Sequence, residues 1–101
     1  MPDLAAATDL LRLLADPTRV RLLSLLAREE LTVAELTDAT RLVQSRVSTH
    51  LGKLREAGLL RLRRAGASTF YGLDEAGMGD EARRLWALLR DGVDDAQQRP
   101  E

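Results

Sequence analysis

The chain has no cysteine, one histidine, a single lysine and three aromatic residues among its 101. Each shortage excludes something. Without cysteine there is no disulfide, no thiolate metal site and no thiol redox sensor. One histidine, His50, cannot assemble a transition-metal site, and carboxylates alone favour hard ions. No apolar run approaches the length of a membrane span. The N-terminus, MPDLAAATDLLRLL, lacks a basic region and carries Asp3 and Asp9, so no targeting peptide is expected and the expected location is the cytoplasm. The length suits one small domain, taken as residues 1–95 with a polar tail at 96–101. The end of the chain, DDAQQRPE, reads as disordered.

What is present is charge, unevenly placed. The net charge of −1 conceals three blocks. Residues 1–40 hold four basic and seven acidic side chains, residues 41–73 seven and one, and residues 74–101 four and eight. A basic centre in a near-neutral chain points to an anionic partner rather than to solubility alone.

Hydrophobic spacing places the elements. Leu4, Ala7, Leu11 and Leu14 recur at helical period, giving a first helix over about 3–15. Asp16 followed by Pro17 reads as a cap and first residue of a second helix, to about 27. Thr32-Val33-Ala34-Glu35 is a capping box opening a short third helix that ends near Thr40. QSRVSTHLGKLREAGLL (44–60) is a fourth, over about 44–57, with Val47, Leu51 and Leu54 on one face and Gly58 at its C-terminal stop. The period then changes to that of a hairpin, about 60–64 and 68–73, turning at Gly66. A last helix is expected over about 78–93. The order is α-α-α-α-β-β-α, a mainly α chain with a small β-hairpin.

Two helices joined by a short turn, with a hairpin directly after, form a winged helix-turn-helix. The polar face of the fourth helix suits the major groove of double-stranded DNA. Gln44 can pair with an adenine edge and Arg46 with a guanine edge. Ser45, Ser48, Thr49 and His50 are further base-reading candidates. Lys53 lies a turn or two later, where a reading helix meets backbone phosphate. The wing offers Arg61, Arg63 and Arg64 before its turn and Ser68 and Thr69 after it, able to lie along the DNA backbone or reach a minor groove. Gly52 interrupts the reading helix at a cost of about 1 kcal/mol relative to alanine, and the sequence does not explain it. Surplus apolar surface on the first and last helices predicts a homodimer through Leu4, Leu11, Leu14, Leu85, Trp86 and Leu89. Ser48 and His50 lie two apart with no oxyanion loop, so no enzyme is expected, and no cofactor or resident metal either.

The runs LADPTRVRLLSLL (14–26), ELTVAEL (30–36), QSRVSTHLGKLREAGLL and RRAGASTFYGL (63–73) resemble the ArsR/SmtB family of bacterial winged-helix repressors. The resemblance implies a homodimer on inverted-repeat operators, with residues 44–50 as the reading helix and Arg64 and the Gly66 turn as the wing. It also marks departures. Thr32 and Ala34 stand where metal-sensing members carry a cysteine pair, and the last helix has Asp80, Glu81 and Asp91 but no histidine. The effector is therefore left open. Val43 stands where a capping residue is usual, so either the entry turn differs slightly or the cap comes from Thr40. The competing reading is a protein-interaction or dimerisation module of a longer chain, such as a methyltransferase fusion.

Overall fold

The computed structural model describes residues 3–98, with side chains placed up to Gly92. Five helices and one hairpin appear in the expected order: α1 (Leu4–Leu14), α2 (Pro17–Arg28), α3 (Val33–Thr40), α4 (Gln44–Glu56), β1 (Leu60–Ala65), β2 (Ser68–Leu73) and α5 (Asp80–Gln98). The fold is a winged helix-turn-helix.

The helix starts follow from side-chain caps. Asp3 accepts from the Ala5 N–H at 3.1 Å. Asp16 accepts from Thr18 at 2.8 Å and Arg19 at 3.3 Å, with Pro17 supplying the fixed φ of the first helical position. Thr32 and Glu35 exchange hydrogen bonds in the expected capping box, at 2.9 and 3.2 Å. The stop of α4 is a Schellman motif. Gly58 takes φ +81°, its N–H donates to the Arg55 carbonyl, and the Leu59 N–H reaches back to Leu54. Leu54 and Leu59, both fully buried, close that motif with an apolar contact.

β1 and β2 pair antiparallel, from Leu60 opposite Leu73 to Ala65 opposite Ser68. Gly66, with φ +62°, fills the first of two loop positions, where a tight hairpin demands positive φ. A further pairing on β2 has no counterpart in the residue pattern: Leu31 and Tyr71 exchange backbone bonds at 3.0 and 2.8 Å. This single bridge pins the wing to the connection between α2 and α3.

Leu22, Leu23, Leu36, Val47, Leu51, Leu54 and Leu59 form the heart of the core, so α4 is seated directly on α2 and α3. The last helix differs from expectation at both ends. Met78 is buried but lies before it, in a turn where its N–H meets the Asp74 carbonyl; the helix begins at Asp80. It then runs through Gln98, so residues 94–98, expected as disordered tail, are helical, with no proline before Pro100 to stop them. The last tail residues, 99–101, lie outside the described residues. Among the described residues no helix is long and apolar enough to cross a membrane.

Candidate nucleic-acid interface

α4 divides into a buried and an open face. Val47, His50, Leu51 and Leu54 point into the protein. Gln44, Ser45, Arg46, Ser48, Thr49, Gly52 and Lys53 are exposed. Gln44, Ser45, Arg46 and Ser48 make no side-chain hydrogen bond or ion pair with any described residue, so their polar groups are available to a ligand. Thr49 is partly committed: its hydroxyl donates to the Ser45 carbonyl at 2.9 Å, leaving oxygen lone pairs and a methyl group.

His50 departs from the expected base-reading set. It is 9% exposed and faces α2, with Nδ1 3.4 Å from Nη1 of Arg19. Burial is the main cause holding its pKa below the usual 6.5; Asp16 opposes this, while Arg19, Arg46 and Lys53 add to it. A buried imidazole on the core side of a helix cannot reach a base edge.

The start of α4 has no side-chain cap. Val43 occupies the cap position, 67% exposed and with extended backbone. Thr40 does not substitute: its hydroxyl donates to Leu36 at 2.7 Å and accepts from the Leu42 N–H at 3.4 Å, closing α3 instead. The first N–H groups of α4, those of Gln44 and Ser45, thus have no side-chain acceptor at the positive end of the helix dipole, while that of Arg46 donates to the Val43 carbonyl at 3.1 Å. Arg41 ends α3 in the left-handed region at φ 63°, unusual for a side-chain-bearing residue. This places an exposed cation next to the start of α4, a position that no motif in the sequence marks.

The wing arginines are not equivalent. Arg61 and Arg63 share a strand face and converge on Glu30, at 3.6 and 3.0 Å. Arg63 also lies 4.8 Å over the Phe70 ring, and Arg61 donates to the Leu73 carbonyl at 2.7 Å. Both fasten the wing to the body. Arg64 points to the other face, is exposed, and has no ion-pair partner among the described residues. Its cross-strand neighbour is Thr69, and Ser68 is exposed at the tip. Arg46, Lys53 and Arg64, with Arg41, are exposed cations on and around the open face of α4 and the wing.

Of the six residues expected at a dimer contact, Leu14 and Trp86 are 5% and 2% exposed within one protomer. Side chains already covered have little area to offer a second chain. Leu85 and Leu89 are half-buried, while Leu4 and Leu11 are open at 81% and 53%, joined by Leu88 at 70%. Among the described residues no three His, Cys, Asp or Glu side chains are grouped as a metal ion would require.

A family model described as bacterial regulatory protein, arsR family, matches residues 16–61. The chain is 46% identical over 74 residues to the arsenic resistance transcriptional regulator ArsR1 of Pseudomonas putida, covering 72% of this chain and 58% of that protein. It is similar to the solved structure of the transcriptional repressor BigR from Xylella fastidiosa, with TM-score 0.73, 32% identity, and 93% and 88% of the two chains covered. The chain belongs to the ArsR family. A second solved structure, the homodimeric winged helix-turn-helix DNA-binding domain of Mb0332 from Mycobacterium bovis, matches with TM-score 0.72 at 28% identity, over 97% and 87% of the two chains. This ArsR-family chain spans 46–58% of the length of the first curated relatives it matches.

Proposed function

We propose that the protein is a sequence-specific, DNA-binding transcriptional repressor that acts in the cytoplasm as a homodimer on an inverted-repeat operator. The observation that carries this reading is the open first half of α4. Gln44, Ser45, Arg46 and Ser48 present unpaired donors and acceptors on a rigid helix, at the end where the helix dipole favours phosphate. Arg46 and Gln44 read base edges, with Ser45, Ser48 and the Thr49 methyl completing the contact. Lys53 and Arg64, flanked by Ser68 and Thr69, hold the backbone. Arg63 acts indirectly, by fixing the wing.

Dimerisation follows from the open apolar side chains Leu4, Leu11 and Leu88 with half-buried Leu85 and Leu89. The similar Mb0332 domain is homodimeric, which supports the same assembly here. A two-fold dimer presents two copies of α4 to successive major grooves about 10 bp apart.

The test is selection of duplexes from a random pool by the purified chain. An inverted repeat with half-sites about one helical turn apart is expected. Arg46→Ala should lose roughly 1–3 kcal/mol of base discrimination, whereas Lys53→Ala should weaken all sequences alike. A chain that retains no duplex at low or moderate salt would instead be an interaction module.

A further inference from the structure

Arg19 makes more contacts than its place beside the α2 cap requires. Its side chain is 12% exposed. Nε donates to the Leu13 carbonyl at 2.6 Å and Nη2 to the Arg12 carbonyl at 3.2 Å. These belong to the last turn of α1, where carbonyls run short of helical donors; the Arg12 carbonyl also accepts from the Ala15 N–H at 3.3 Å. Nη1 lies 3.5 Å from Oδ2 of Asp16 and 3.4 Å from Nδ1 of His50, on α4. One guanidinium therefore touches the end of α1, the start of α2 and the inner face of α4. Its planar, fixed donors suit such a multiple contact in a way a lysine ammonium does not.

We propose that Arg19 and His50 are positioning residues for DNA recognition, forming a strut through which the end of α1 sets the seat of α4. The inference rests on the DNA-reading function proposed above. His50 lies one turn after Arg46 and beside Thr49, so a roll of α4 about this contact moves the reading side chains with it. The contact needs a lone pair on Nδ1, hence a neutral ring protonated at Nε2. At 3.4 Å it is long, and a small displacement of α4 opens or closes it.

The charges facing His50 set its response to pH. Asp16 and Arg19 approach from α2, and Arg46 and Lys53 flank it on α4. α1 meets the strut with the carbonyls of Arg12 and Leu13. Three cations against one carboxylate, together with burial, keep the ring neutral near pH 7. Protonation would remove the acceptor and set a cation against Arg19.

The experiment measures affinity for the selected operator relative to a random duplex at one salt concentration. The ratio removes the general attraction that an added positive charge gives to any DNA. His50→Leu removes the acceptor while keeping bulk, and the ratio should fall about tenfold, the worth of one hydrogen bond to a charged group. His50→Asn places an acceptor near the position of Nδ1 and cannot titrate, so most of the ratio should return. As pH falls from about 7.5 through the lowered pKa of His50, below 6.5, the wild-type ratio should fall while that of His50→Asn stays level. A folded His50→Leu protein with the wild-type ratio overturns the strut and leaves the DNA-binding function standing. So does a His50→Asn profile that tracks the wild type, and that comparison decides alone if His50→Leu does not fold. A wild-type chain that prefers no duplex overturns the function and the strut together.

Discussion

Replacing Val43 by serine should stabilise the protein, because α4 begins without a cap. Val43 already has the extended backbone of a cap residue, φ −70° and ψ 149°, so a serine there needs no rearrangement. Its hydroxyl would accept from the N–H of Ser45 or Arg46, a gain of about 1–1.5 kcal/mol over an apolar side chain. Against this stands the lost burial of valine. The side chain is 67% exposed, so only about a third of a full burial is forfeited, roughly 0.5 kcal/mol. The net gain is about 0.5–1 kcal/mol. For a domain of this size that raises Tm by roughly 2–8 °C. The assay is thermal denaturation followed by circular dichroism at one protein concentration, since dimerisation makes Tm concentration-dependent. Val43→Asp should gain at least as much, because its charge also meets the helix dipole. It should, however, weaken DNA binding by placing a carboxylate where a phosphate would dock. An unchanged or lower Tm for Val43→Ser would refute the unsatisfied start of α4. A Val43→Asp protein that binds DNA as tightly as the wild type would refute the phosphate contact there.

Three further outcomes follow from individual contacts. Arg64→Ala should weaken binding to all duplexes and reduce the salt slope by about 1, whereas Arg63→Ala should mainly lower Tm, by removing the Glu30 ion pair that ties the wing to the body and the Phe70 contact within the hairpin; equal losses of affinity would contradict the division of the wing. Asp16→Ala should cost about 1–2 kcal/mol and Asp16→Asn less, since the amide oxygen still caps α2. Burial raises the Asp16 carboxyl pKa, but the Arg19 and Thr18 N–H groups and the charges of Arg19 and His50 outweigh it and leave the pKa below 3.8. Its stabilisation is therefore complete above pH 3.8 and lost as pH falls through the lowered value, a loss that acid titration of Asp16→Asn should not show. Gly52→Ala should raise stability by about 0.5–1 kcal/mol, because a Cβ there meets nothing within 4 Å. On the proposed reading Gly52 lies on the exposed face of α4 that meets the duplex, so an added Cβ should weaken operator binding. A rise in both melting temperature and affinity would show that the glycine has no role at DNA.

Much of this fold was legible because its helix ends are written in local chemistry. Asp16-Pro17, Thr32 with Glu35, and Gly58 each name a boundary through a bond made within a few residues. The open face of α4 was legible for the same reason, since Val47, Leu51 and Leu54 fix its opposite side. What escaped depends on distant partners. His50 stands about 60° around the helix from Val47, at the border of the apolar face, and only Arg19, 31 residues earlier, decides that it turns inward. Arg63 looked as free as Arg64 until Glu30, 33 residues earlier, was placed beside it. Leu31 pairs with Tyr71 through a single bridge, too short to leave a period. Trp86 and Leu14 carried the right spacing for an exposed stripe, but the protomer's own core covers them.

The central claim is that an exposed set of cations around α4 and the wing holds duplex DNA while α4 reads it. The direct measurement is the affinity of the dimer for its selected operator across a range of salt concentrations. Three or four of these cations per protomer neutralise about 6–8 phosphates, so log K should fall against log salt with a slope near −5 to −7. A flat response would contradict the account.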